Sequence, residues 1–306
     1  MHRSEPSRRQ FLRQAAATAG LAIAGPAALA VEPRPKPFPG IYKLSVAGYS
    51  YRKHLTAKKD GMTLDGYLEL AAKLKLDAVE PTSYYFRDTS EKYLKHIRDK
   101  AKDLGLAISG TAVGNNFALP PGPARDKQLA HVKTWVDHAA VLGAPVIRIF
   151  GTGRLGKGQT ADEAYKLVLA AIEECCTYAG KHGVALALEN HGGALTTTGK
   201  ELLRFVGDVK SAAFGINLDT GNFRSPDPYA DMALVAPHAL NVQVKVALRV
   251  NGKSQPADYA RIIRILRDAG YDNYVVLEYE AKEDPLTAIP RHIEALRKAI
   301  AEACKG

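Results

Sequence analysis

The chain has 306 residues, 46% of them hydrophobic, with 42 Lys and Arg against 32 Asp and Glu. That balance excludes a disordered or collagen-like polypeptide and suits one large globular domain or two ordinary ones. The net charge is +10, of which residues 1–30 carry four arginines against one glutamate, leaving about +7 spread along predicted helices. The interleaving of aromatic and basic residues that marks a nucleic-acid surface is missing, so no nucleic-acid partner is expected.

In chain order, the front reads as an address. Ser7-Arg8-Arg9-Gln10-Phe11-Leu12-Arg13 resembles a twin-arginine export signal, and an apolar segment from Ala15 ends in Ala28-Leu29-Ala30. The segment has a signal-peptide layout and is short for a bilayer span, so residues 1–30 are expected to be removed, leaving no stable membrane anchor and a periplasmic or otherwise exported protein. Residues 31–40 hold prolines at 33, 35, 37 and 39 and read as a stiff linker. Residues 41–306 are then one domain. Its three cysteines, Cys175, Cys176 and Cys304, show no metal or disulfide spacing, so the fold rests on its core.

From residue 41 strands and helices alternate. Strands are predicted over 42–48, 78–80, 106–111, 145–150, 184–189, 214–219, 240–246 and 274–278. Helices are predicted over 63–74, 90–104, 124–142, 161–182, 198–209, 229–236, 256–269 and 285–304. Gly105, Gly143, Gly183 and Gly270 stand just past helix ends. Eight strands each followed by a helix, in about 265 residues, predict an α/β fold of the (β/α)8 TIM-barrel type in a single domain. A doubly wound sheet is the alternative, but no Gly-x-Gly-x-x-Gly follows the first strand.

Four of these strands end in polar groups: Glu189-Asn190-His191-Gly192-Gly193, Asn217-Leu218-Asp219, Gln243-Val244-Lys245 and Leu277-Glu278. Side chains alternate along a strand, which turns Glu80, Arg148, Ala185, Ala187, Glu189, Asn217, Asp219, Gln243, Lys245 and Glu278 inward. Ile147, Ile149, Leu186, Leu188, Ile216, Leu218, Val242, Val244, Val275 and Leu277 then face the helices. The charged groups also lie at the C-terminal strand ends, where barrel enzymes keep their sites. Glu80, Glu189, Asp219 and Glu278 face only Arg148 and Lys245. Like charges a few Å apart repel by roughly 4 kcal/mol at an effective dielectric of about 20. A divalent ion among Glu189, Asp219, Gln243 and Glu278 would relieve this, and oxygen ligands suit Mn²⁺, Mg²⁺ or Co²⁺. The alternative is an ion-pair network through Arg148 and Lys245.

The stretches 188–193, 217–222 and 277–278 resemble the sugar phosphate isomerase/epimerase superfamily, the xylose isomerase-like barrels. The resemblance implies a divalent metal on Glu189, Asp219, Gln243 and Glu278, with Gln243 standing where that family usually has histidine. It also implies Glu189 and Glu278 as the acid/base pair for an enediolate reaction on a small-molecule sugar. His191, Lys245, Glu80 and Arg148 are candidate substrate-binding residues; structural roles as a loop cap and as ion-pair partners are the alternatives. A free sugar is expected, since no phosphate-cradling glycine loop is evident. A keto-sugar lyase or dehydratase, or a non-catalytic sugar-binding barrel, would use the same scaffold, and a homo-oligomer is left open. The endonucleases of the superfamily need a histidine-rich three-zinc site, whereas these strand ends offer His191 alone.

Overall fold

The computed structural model describes residues 42–57 and 61–303. The expected export leader and proline linker, and Cys304, lie outside the described residues. The strands are β1 (Leu44–Ala47), β2 (Ala78–Glu80), β3 (Ala107–Ile108), β4 (Thr111–Ala112), β5 (Val146–Ile149), β6 (Ala185–Glu189), β7 (Phe214–Asp219), β8 (Ala239–Val244) and β11 (Val275–Leu277). They form one parallel sheet in the order β3-β2-β1-β11-β8-β7-β6-β5-β4. The two ends of that order, β3 and β4, are halves of one passage along the wall, and a parallel bridge from Thr82 to Ala112 joins them to β2. The result is the expected single-domain TIM barrel of eight staves.

The third predicted strand, 106–111, is therefore broken at Ser109-Gly110. A Cβ at Gly110 would lie 2.9 Å from Val146 Cγ1, so the chain passes too close to β5 there for any side chain. The Ser109 hydroxyl bonds instead to the Val79 carbonyl and to Ser45 Oγ.

The helices are α1 (Arg52–Leu55), α2 (Leu64–Lys73), α3 (Glu91–Asp103), α4 (Pro123–Leu142), α5 (Ala161–Lys181), α6 (Gly199–Asp208), α7 (Pro228–Val235), α8 (Tyr259–Asp268) and α9 (Pro285–Ala303). Local chemistry fixes their ends. Thr160 and Thr198 each form a capping box, with Glu163 and Glu201 reaching back to the cap nitrogen. Gly143 closes α4 in the left-handed region at φ 74°.

Two elements depart from expectation. Residues 48–51 form a 3-10 turn leading into α1, not strand and loop. The predicted helix 256–269 begins only at Tyr259, because β9 (Ala247–Val250) and β10 (Lys253–Pro256) make an antiparallel hairpin before it. Its two-residue loop is Asn251-Gly252, with φ of 49° and 75°. Asn-Gly is the preferred pair for a turn needing positive φ twice, so the signal was present in the sequence.

The alternation of side chains holds. Ile147, Ile149, Leu186, Leu188, Ile216, Leu218, Val242, Val244, Val275 and Leu277 join the helices in one outer core, against residues such as Leu68, Ile97, Val136, Ile172, Phe205, Ile263 and Leu296. Each fully buried aliphatic side chain contributes about 1.5–3 kcal/mol relative to exposure. Val146, Ala185, Ala187 and Leu240 form a separate small plug inside the barrel. Leu240 reaches it through a bulge: Ile216 pairs Ala239 and Asn217 pairs Asn241, leaving Leu240 as the extra residue. Its side chain takes the space over Gly215, where a Cβ would lie 2.4 Å from Leu240 Cγ. The bulge restores Asn241, Gln243 and Lys245 to the inner face.

Candidate active site

Above the apolar plug the barrel interior turns polar. Glu80 is fully buried at the end of β2, and its carboxylate accepts from Asn241 Nδ2 and from Gln243 Nε2, both at 2.5 Å. Asn217 completes the layer, donating to Gln243 Oε1 at 2.7 Å and accepting from Asn241 at 2.7 Å. Burial pushes the Glu80 carboxyl up from 4.5 to about 7, with the two amides holding it from going further.

That offset has a sign for stability. The folded chain holds the Glu80 proton more tightly than the unfolded chain, so Glu80 favours folding least where it must be ionised. In EDTA, unfolding free energy should fall as pH rises from about 5 through 7, with on the order of 3 kcal/mol lost from this group above that window. Urea titrations across this range should show a shallower fall for Glu80→Gln; equal slopes would refute the assignment.

The charged layer lies at the mouth. Glu189 ends β6, where its Oε2 is 2.9 Å from Arg148 Nε on β5, an ion-pair contact off the hydrogen-bond line. Asn222 donates to Glu189 Oε1 at 3.0 Å. Burial raises the Glu189 carboxyl from 4.5 to about 7, against the pull of Arg148. Arg148 itself donates to the Val113 carbonyl at 2.9 Å and lies 4.0 Å from the centre of the Phe150 ring.

Lys245, one residue past β8, falls opposite Glu278 because Val244 pairs Leu277. Its Nζ lies 2.9 Å from Glu278 Oε2, 3.1 Å from Asp219 Oδ2 and 2.5 Å from Glu280 Oε2. Its stem crosses Gly221, where a Cβ would sit 2.6 Å from Lys245 Cγ, so a larger residue at 221 would displace it. Burial alone would raise the Glu278 carboxyl, but Lys245 and Arg148 hold it below its ordinary value. At Asp219 burial prevails over Lys245 and the carboxyl is raised well above its ordinary value.

Asn190 fixes the two motifs to each other: its amide donates to the Asp219 carbonyl at 2.7 Å and accepts from the Asp219 N–H at 2.8 Å. His191 is half-buried, its Nδ1 is 3.1 Å from the Gly192 carbonyl oxygen, and its ring centre is 4.5 Å from that of Phe150. Burial lowers its pKa, which leaves it neutral at pH 7.

All eight residues expected from the sequence thus face one chamber or its rim. Glu80 and Gln243 form the floor; Arg148, Glu189, Asp219, Lys245 and Glu278 form the charged layer; His191 stands on the rim. The reading missed Asn190, Asn222, Asn241 and Glu280. Asn241 and Glu280 share the inward parity of Gln243 and Glu278, and that signal could have found them. A glycine-rich loop, residues 151–158, was also overlooked after β5. At the start of the helix it leads into, α5, the Thr160–Glu163 box engages the Thr160 and Glu163 N–H groups.

The donor chemistry fits a hard divalent ion: three buried carboxylates and an amide, with Asp219 Oδ2 buried and lacking any hydrogen-bond partner. The expected four-oxygen arrangement is not formed as the side chains stand. Among the described residues no three Asp, Glu, His or Cys side chains converge closely enough to hold an ion. The Lys245 ammonium spans Asp219 and Glu278, and both ends of the Gln243 amide are engaged by Asn217 and Glu80.

Comparison with known proteins gives a consistent picture. A family model described as a xylose isomerase-like TIM barrel matches residues 68–299. D-psicose 3-epimerase of Agrobacterium fabrum is 26% identical over 246 residues, covering 75% of this chain and 82% of that protein. The structure of D-psicose 3-epimerase with D-tagatose from Clostridium cellulolyticum H10 superposes with a TM-score of 0.69 at 16% identity, covering 85% of this chain and 99% of the other. A xylose isomerase-like TIM barrel protein from Mycobacterium smegmatis, in complex with magnesium, gives 0.68 at 19% identity over 86% of this chain and 98% of its own. Among the described residues no helix is long and apolar enough to cross a membrane.

Proposed function

The chain belongs to the xylose isomerase-like TIM barrel family, and within it we propose a sugar isomerase or epimerase that works through an enediolate. The observation carrying this reading is the pair Glu189 and Glu278, two buried carboxylates at strand ends whose environments push their protonation apart. Similarity to sugar epimerases supports the substrate class.

The asymmetry of the pair assigns its roles. Glu278, kept ionised beside Lys245, takes the proton from the carbon next to the substrate carbonyl. Glu189, raised to about 7, can carry a proton at neutral pH and return it to the enediolate. In the reverse direction the two exchange duties. Lys245, held by three carboxylates, is a cationic donor that can trade one of those contacts for the carbonyl oxygen as charge builds there. Arg148 holds Glu189 in place, and Asn190 fixes the backbone that presents Asp219. His191 and Phe150 offer a ring-lined rim for the sugar.

A divalent ion on Glu189, Asp219 and Glu278 would polarise the carbonyl and acidify the adjacent C–H. Gln243 could join it only through Oε1, which already accepts from Asn217 and has one lone pair left. Mn²⁺, Mg²⁺ and Co²⁺ are the candidates by donor hardness. A panel of free keto- and aldo-sugars, incubated with protein and each ion in turn, tests the function. Chromatography should show reversible conversion of at least one sugar, weakened by EDTA; no conversion across the panel would refute it.

Export by the twin-arginine route remains our proposal from Arg8-Arg9 and the apolar run to Ala30. Changing both arginines to lysine should leave the precursor in the cytoplasm, and unchanged delivery would overturn it.

A further inference from the structure

We infer that Lys245 is a resident cation that competes with the divalent ion for Asp219 and Glu278, and withdraws toward Glu280 when the ion enters. The inference rests on the metal reading given above and concerns what sets the affinity. Its first support is positional. An ion held by Asp219 and Glu278 would have to enter between two oxygens that the ammonium already spans at 3.1 and 2.9 Å. Two cations cannot share that gap.

The second support is the state of Asp219. Its Oδ2 is fully buried with no hydrogen-bond partner, so its one neutralising neighbour is the off-axis ammonium. A buried carboxylate oxygen left in that condition is costly. An ion in contact with it would satisfy what Lys245 meets only by proximity.

The third support is an exit. The shortest contact of Lys245 is with Glu280 at 2.5 Å, and the Glu280 side chain is 38% exposed, unlike the buried Asp219 and Glu278. Withdrawal toward Glu280 keeps the ammonium paired while it leaves the inner carboxylates. The bare glycine at 221 leaves the lysine stem without a side-chain barrier on that side. Lys245 thus serves as a positioning and charge-balancing residue that makes the ion exchangeable.

Mn²⁺ binding, followed by calorimetry and by the loss of the free-ion electron paramagnetic resonance signal, tests this in the whole protein. Lys245→Met should bind at least about tenfold more tightly than the unmodified chain, since the competitor is gone while the stem is kept. Lys245→Arg, which keeps the charge, should bind no more tightly. If Lys245→Met requires the ion to fold, it is prepared in Mn²⁺ and titrated with EDTA, which reads the same order of affinities from the other side. Equal or weaker binding by Lys245→Met overturns the inference while leaving the metal reading intact, and so does tighter binding by Lys245→Arg. Absence of Mn²⁺ binding by all three proteins overturns both.

Discussion

Glu189→Gln and Glu278→Gln should each lower turnover of a confirmed sugar by about 10²–10⁴, the usual cost of removing a positioned general acid or base. Glutamine keeps an oxygen at each position, so the substitution removes proton transfer without emptying the space. The two losses should differ in their pH dependence. Glu189 carries a proton in the neutral range because burial raises it to about 7, while Glu278 is held ionised by Lys245. In the chain with both carboxylates, the rate limb near pH 7 should therefore report Glu189, and Glu189→Gln should lose it. Steady-state rates from pH 5 to 9 check both points. Wild-type turnover in either variant would sink the two-carboxylate account.

Arg148→Met should destabilise the fold by on the order of 3–5 kcal/mol at pH 8, the cost of leaving one member of a buried ion pair alone. Arg148 and Glu189 are both nearly inaccessible, and methionine keeps the stem but loses the guanidinium that lies over Phe150. The carbonyl of Val113 also loses its donor. The penalty should shrink toward pH 5, because Glu189 then takes up a proton and no charge is left unpaired. Urea unfolding at the two pH values measures this. A loss equal at both would mean that Arg148 acts through its packing and not its charge.

Much of the scaffold was legible because barrel staves repeat one rule. Outward Ile, Leu and Val positions pack on helices and inward ones do not, so parity alone placed Glu189, Asp219 and Glu278 in one chamber. Helix ends were legible from single residues: Gly105, Gly143, Gly183 and Gly270 all adopt φ between 63° and 74°. What escaped depends on through-space contact. The break at Gly110 is imposed by the approach of Val146, and the inward turn of Leu240 by the bare Gly215, neither adjacent in sequence. The Asn251-Gly252 hairpin was a local signal overlooked inside a helical-looking stretch.

The site was legible as a set of residues and not as a set of partners. Sequence placed four carboxylates against two cations but could not say which oxygen each cation would touch. The lysine proved to span Asp219, Glu278 and Glu280, while Gln243 turned down to Glu80 and Asn217. Those choices follow from the pairing of Val244 with Leu277 and from the stem path over Gly221, which alternation cannot resolve. Asn190 was visible in the motif, yet its clamp on the Asp219 backbone appears only once β6 and β7 are side by side.

In the proposed reaction a proton leaves the carbon beside the substrate carbonyl on one carboxylate and returns from the other. The most direct measurement is proton exchange in D₂O, with the interconverted sugar recovered and read by NMR. One deuterium is expected at the reacting carbon of the product, because the returning proton comes from a carboxyl that has equilibrated with solvent. A product formed in D₂O that carries only protium at that carbon would contradict it.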